Sequence, residues 1–121
     1  MSLLANIDPI NRMVTIGGTG SAKAESFRDI LLQVVSDPRF EPGYRILMDV
    51  RDVEFTPTTT EIRFFVEFHM SHEALRRSRV AIVVTNLVDF GMANMFATLC
   101  ELHDAPARGF RSLNAALEWL G

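Results

Sequence analysis

The sequence predicts an α/β domain: a mixed, mostly parallel five-stranded sheet flanked by four helices, in the order ββαβαβαβα. Three observations predict it. Arg79 to Thr85, RVAIVVT, is a short and almost wholly apolar run rich in β-branched residues, which fits a strand buried on both faces. After an N-terminal hairpin, helix-type and strand-type patterns alternate, which calls for parallel strands joined by right-handed crossovers. The 121 residues fit a single domain, residues 1–121. At that length about two-thirds of the unfolded surface can be buried without a disulfide or metal.

Taken in order, Leu3–Ile7 and Met13–Ile16 are apolar stretches around Asp8-Pro9-Ile10-Asn11-Arg12. The Pro and the two Asx-type residues make that segment a turn, so the pair reads as a β-hairpin. Gly17-Gly18-Thr19-Gly20 is expected to end its second strand, and Ser21 to cap the first helix. Phe27, Ile30, Leu31, Val34 and Val35 form one apolar face of that helix. It should stop at Asp37-Pro38, since Pro disfavours helix in the residue before it. Arg45–Val50 is the next buried strand, and Val53 and Phe55 continue an apolar alternation beyond it.

The second helix starts at Thr58, where Glu61 three residues on completes a capping box; Thr56 with Pro57 is the competing start. Ile62, Phe65, Val66, His69 and Met70 make one stripe. Phe64, Phe68, His72 and Leu75 make a second ridge on nearly the opposite side. A helix so apolar around its girth needs cover on two sides: the sheet on one, and a neighbouring helix, a second subunit or a ligand on the other. Arg76, Arg77 and Arg79 then form a solvated collar before the central strand. The third helix runs from about Asp89 to His103, with Met92, Met95, Phe96, Leu99, Cys100 and His103 inward and Asn94, Thr98 and Glu101 outward. Arg108–Phe110 is a last strand. Ser112 caps a closing helix whose apolar residues are Leu113, Ala116, Leu117 and Leu120.

Composition excludes several function classes. Hydrophobic residues make up 48% of the chain, too many for a disordered segment. No apolar run reaches the roughly 18 residues of a membrane span, and Met1–Arg12 has no signal-peptide pattern. The net charge of −3 argues against nucleic acid as a partner. Cys100, the single cysteine, cannot form an internal disulfide, which fits a cytoplasmic protein.

Four segments together resemble a known family. They are DPRF-x-PGYRILMDVRDVEF (Asp37–Phe55), RVAIVV (Arg79–Val84), FGMANMF (Phe90–Phe96) and GFRSLNAALEWL (Gly109–Leu120). In this order they are similar to the SpoIIAA-like proteins, small bacterial domains related in fold to STAS domains and more distantly to CRAL-TRIO lipid-exchange domains. The resemblance implies a SpoIIAA/STAS-like single domain, cytoplasmic and mostly without an assigned activity. STAS regulators carry a phosphorylated Ser or Thr at a helix start, which here falls on Thr58 or Thr59. The usual Asp-Ser-Ser-Gly is replaced by Thr-Pro-Thr-Thr-Thr, and a plain helix cap accounts for Thr58.

Other motifs resolve to structure. Gly17–Ala24 lacks the second Gly and the Ser/Thr of a phosphate loop, so turn glycines are expected there. His69, His72 and His103 do not converge, so no metal or other cofactor is expected. Cys100 reads as buried and inert. Asp89-Phe90-Gly91 matches three letters of a kinase motif and nothing around it. The loops 17–21, 51–58 and 86–89 should share the carboxyl edge of the sheet, where open α/β sheets place their sites. Gly18, Thr19, Ser21, Asn86 and Asp89 are therefore the candidates for binding a ligand or anion. Asp49, Asp52, Thr58 and Asp89 do not assemble a nucleophile, base and oxyanion site.

The reading is a non-enzymatic binding or regulatory domain, a homodimer through Phe64, Phe68, His72 and Leu75. The alternatives are a carrier of a small apolar molecule, with those residues and Met48, Met70, Met92 and Met95 lining a pocket, and a phosphorylation-switched regulator.

Overall fold

The hairpin forms where it is expected. Strand β1 (Ser2–Asp8) pairs antiparallel with β2 (Met13–Ser21). Asp8 closes the turn by accepting from the N–H groups of Ile10 and Asn11, each at 3.1 Å. This computed structural model describes residues 2–121; Met1, the first residue of the predicted domain, lies outside them.

Helix α1 (Ala24–Ser36) follows, then β3 (Arg45–Asp49), β4 (Val53–Glu54), α2 (Thr59–Ser71), α3 (Glu73–Arg76), β5 (Arg79–Val83), α4 (Leu87–Glu101), β6 (Ala107–Phe110) and α5 (Leu113–Leu120). The sheet runs β1-β2-β3-β5-β6, with every pair after the hairpin parallel. β5, expected at the centre, therefore lies parallel between β3 and the edge strand β6, and β3 holds the middle of the sheet. It is a six-stranded sheet with five helices among the described residues, one strand and one helix more than expected.

Both additions have local causes. β2 does not end at its glycines; it continues to Ser21 and outlasts β3. The chain turns after Asp49, with Val53 N–H bonded to the Val50 carbonyl at 3.1 Å. Val53 and Glu54 then pair with Gly20 and Ser21. The glycines are strand residues, not a turn. At Gly17 a Cβ would sit 3.0 Å from the Asp49 carbonyl oxygen, so close approach of β3 is what calls for glycine. Ser21 donates to Glu54 at 3.2 Å, and α1 starts from Lys23 without a side-chain cap.

The extra helix arises at His72, which is extended (φ −115°, ψ 110°) and divides the expected second helix. Ser71 Oγ donates to the Phe68 carbonyl at 2.9 Å, and His72 Nδ1 lies 2.8 Å from the same oxygen. Those side chains satisfy the carbonyl and stop the helix. The short α3 then turns Leu75 inward to 1% exposure, so Leu75 does not join an exposed ridge. Similarly, α4 begins at Leu87, capped by Asn86, and ends before His103, which is exposed rather than inward.

One sheet face carries Val14, Ile16, Ile46 and Val80 and is covered by α1, α2, α3 and α4. The opposite face carries Leu47, Ala81 and Val83 and is covered by α5 through Ala116 and Leu120. Of the arginine collar, Arg76 and Arg77 are exposed. Arg79 is exposed too, and it also donates to the Trp119 carbonyl at 2.5 Å and lies over the Trp119 ring at 4.1 Å, tying α5 to the sheet. No helix of the described residues is long and apolar enough to cross a membrane.

Candidate functional site

A cavity of ≈ 120 Å³ lies between the sheet and the helices α1, α2 and α4. Its floor is the β3–β5 pair, through Ile46, Met48, Val80 and Ile82. Parallel register places these four on one face. Phe27 and Leu31 of α1 form a wall, and Ile62, Phe65, Phe68 and His69 of α2 form the roof. The amphipathic spacing that buries α2 is thus the spacing that builds the roof. The backbone of α2 comes close to α3 and α4, whereas α5 comes close to β3, β5 and β6. The helix over the cavity is held to the sheet through side chains.

The cavity is elongated. Both Val80 and Val84 line it, and four residues of strand span roughly 13 Å. His69 and Leu75 stand at the end by Val80. Val50, Phe55, Pro57 and Asp89 stand at the other, toward the carboxyl edge of the sheet.

That edge holds an open groove lined by Arg51, Asp52, Glu54, Thr56, Thr85, Asn86 and Asp89, among others. Val50, Val53, Phe55 and Asp89 line both hollows, so groove and cavity adjoin. Asp89 joins the two loops there. It accepts from Thr56 Oγ1 at 2.6 Å and from Asn86 Nδ2 at 2.9 Å, while its N–H donates to Asn86 Oδ1 at 2.8 Å. Arg51 is held by Asp49 through two bonds of 2.8 Å, which lower the Asp49 pKa below the ordinary carboxylate value. Three carboxylates, Asp52, Glu54 and Asp89, therefore face that one guanidinium. The balance suits an anion poorly.

His69 is the polar residue of the roof. It is 5% exposed, and its ring meets Phe96 edge-on at 5.7 Å. Burial, with a smaller push from His72, lowers its pKa from 6.5 to about 4, so the ring is neutral near pH 7. Its Nε2 is the one buried side-chain nitrogen or oxygen among the described residues without a hydrogen-bond partner. An unpaired buried polar group of this kind costs about 1–3 kcal/mol.

The candidates taken from the sequence separate into different roles. Asn86 and Asp89 line the groove, but Gly18, Thr19 and Ser21 lie along β2 and are not among its lining residues. Thr58 caps α2: its Oγ1 accepts from Glu61 N–H at 3.1 Å, and Thr58 N–H donates to the Glu61 carboxylate at 2.9 Å. Thr59 opens the helix and is exposed. Phe68 and Leu75 line the cavity, while Phe64 is 43% exposed and His72 caps the end of α2. Of the four methionines, Met48 lines the cavity. His69, which the sequence sets in an apolar stripe of α2, carries the unpaired atom. Its one sequence signal was a ring nitrogen inside an apolar stripe. Cys100 is fully buried, which pushes its thiol up to about 12 and leaves it unreactive. No group of three His, Cys, Asp or Glu among the described residues could hold a metal ion. No family model matches the chain, and no curated protein matches it.

Proposed function

We propose that this domain is a non-enzymatic binding module that takes a small apolar molecule into the cavity beneath α2. The observation that carries the reading is the cavity itself. Domain interiors are close-packed and tolerate few voids larger than a water molecule. An apolar cavity of about 150 Å³ is known to stay dry and to admit benzene; at ≈ 120 Å³ this one is of the same order. Its lining is apolar, drawn mainly from β3, β5, α1, α2 and α4, apart from His69 at one end and Asp89 at the other.

Toluene is the direct probe. Titrated into the protein, it is expected to shift the amide resonances of Ile62, Phe65, Ile82 and Ala93 and to raise the unfolding midpoint with concentration, as any ligand specific to the folded state must. No saturable shift at these residues overturns the reading.

The other readings have less support. A phosphate on Thr58 would lie beside the Glu61 carboxylate that completes the cap, an unfavourable neighbour for added negative charge. A homodimer through the second ridge of α2 loses Leu75 to the interior and keeps Phe64 as its exposed ring.

A further inference from the structure

We propose that the occupant of the cavity is a neutral, phenol-sized molecule with one hydroxyl group, and that this hydroxyl pairs with His69 Nε2. The inference deepens the binding function above and rests on it. Among the described residues two polar side chains are buried, Ser78 and His69. Ser78 is satisfied, since its hydroxyl donates to the Leu75 carbonyl at 2.5 Å. His69 Nε2 has no such partner; His69 lines the cavity, and Nε2 itself is sealed from it in this structure, so an occupant reaches Nε2 through a small turn of the ring. Buried polar atoms of native proteins are nearly always paired, so an exception in a residue that lines a cavity asks for a partner brought from outside.

The chemistry of that partner follows from the surroundings. The ring is uncharged near pH 7. A carboxylate or ammonium ion would lose its hydration there without gaining a counter-charge. A pure hydrocarbon would leave Nε2 as it is. Among the lining side chains His69 is the one polar group at that end of the cavity, too few partners to hold a lone water. A hydroxyl both donates and accepts, so it meets Nε2 in either tautomer. The rest of the molecule must be apolar and slender, because rings of α1, α2 and α4 press on it from one side and Ile46, Val80 and Ile82 from the other. One six-membered ring with little substitution meets these conditions.

The test uses toluene and phenol, which differ by a methyl against a hydroxyl, on the full chain and on H69L. Affinities are measured by calorimetry or by amide shifts. The readout is the toluene-to-phenol affinity ratio in each protein, so that the unequal solubility of the two compounds cancels. Loss of the hydroxyl's partner should turn the ratio toward toluene by about tenfold or more in H69L, the worth of a buried hydrogen bond. In the unaltered protein, phenol at saturation should shift the His69 Nε2 resonance in a nitrogen-15 spectrum, and toluene should not. That second measurement stands even if H69L folds poorly. Equal ratios in both proteins, or the same Nε2 resonance with either compound, overturn the pairing while leaving a cavity that binds. Failure of both compounds to bind overturns the cavity reading and the pairing together.

Discussion

The two faces of the sheet are covered by opposite means. On the α5 face, Ala81 and Ala116 are both fully buried, and Leu47, Val83 and Leu120 close around them. Small side chains let the helix backbone approach the strands. Arg79 then fixes it from the end through the Trp119 carbonyl and ring. On the other face the fillers are rings. Phe27 meets Phe55 at 4.9 Å and Phe65 at 6.4 Å, and His69 meets Phe96 at 5.7 Å. Rings span a wide gap between layers but do not tessellate, and the residue of that mismatch is the cavity. One face has spent its apolar surface on stability; the other retains a space and an unpaired nitrogen.

Acid should separate the faces most. The pKa of His69 falls from 6.5 in the unfolded chain to about 4 in the folded one. Its contribution is complete above pH 6.5 and is lost as the pH falls toward 4, as the unfolded chain binds the proton first. The difference amounts to about 3 kcal/mol. His72, just past the end of α2, adds a smaller push in the same direction, and the titratable groups of the facing helix α4 are Asp89, Cys100 and Glu101. The carboxylates with lowered pKa values, Asp8, Asp37 and Asp49, act in a different window, below their ordinary 3.8. Urea unfolding at pH 7 and pH 4 should show the loss, and H69L should flatten most of it. The buried residues of the α5 face carry no titratable group, so amide exchange there should respond only through global unfolding. A stability curve that is flat from pH 6.5 to 4 would contradict the burial of His69.

Ala81→Leu attacks the tight face. The added carbons meet Leu47, Ala116 and Leu120, where no space remains. A loss of about 2 kcal/mol in urea unfolding is expected. A neutral outcome would show that α5 can move away from the sheet and that its face is not close-packed.

Much of this contrast was legible in the sequence, and its decisive part was not. The buried strand β5, the hairpin, the parallel order and the cap at Thr58 follow from periodicity and turn chemistry, which are local properties, whereas the place of β5 beside the edge does not. Phe27, Ile30 and Val34 announce the buried side of α1 by spacing alone. The break at His72 was hidden because Ser71 and His72 compete with the helix for a single carbonyl, and no propensity forbids continuing. Leu75 was misplaced for that reason. β4 was hidden because two residues carry no period, and their pairing depends on β2 outrunning β3. The sequence offers a pocket for a small apolar molecule, and Phe68, Leu75 and Met48 do line one, but it gives neither the cavity's volume nor its place beneath α2. The cavity is a difference between the volume that layers enclose and the volume that side chains fill, and no residue encodes it singly.

The finest comparison uses neighbours. Val83 and Val84 are adjacent, buried, and point to opposite faces: Val83 packs with Ala116 and Leu120, and Val84 lines the cavity. The same substitution, valine to isoleucine, adds one methylene at each. At Val83 it must displace packed atoms and should destabilise by about 1 kcal/mol. At Val84 it enters open space and should stabilise by up to about 0.8 kcal/mol, the burial worth of a methylene. Opposite signs in paired urea titrations are therefore expected. The Val84→Ile protein should also bind toluene more weakly, because the methylene occupies volume the ligand needs. Equal losses at both positions would mean that the space beneath α2 closes in solution, and the roof would then be a packed layer like the one opposite.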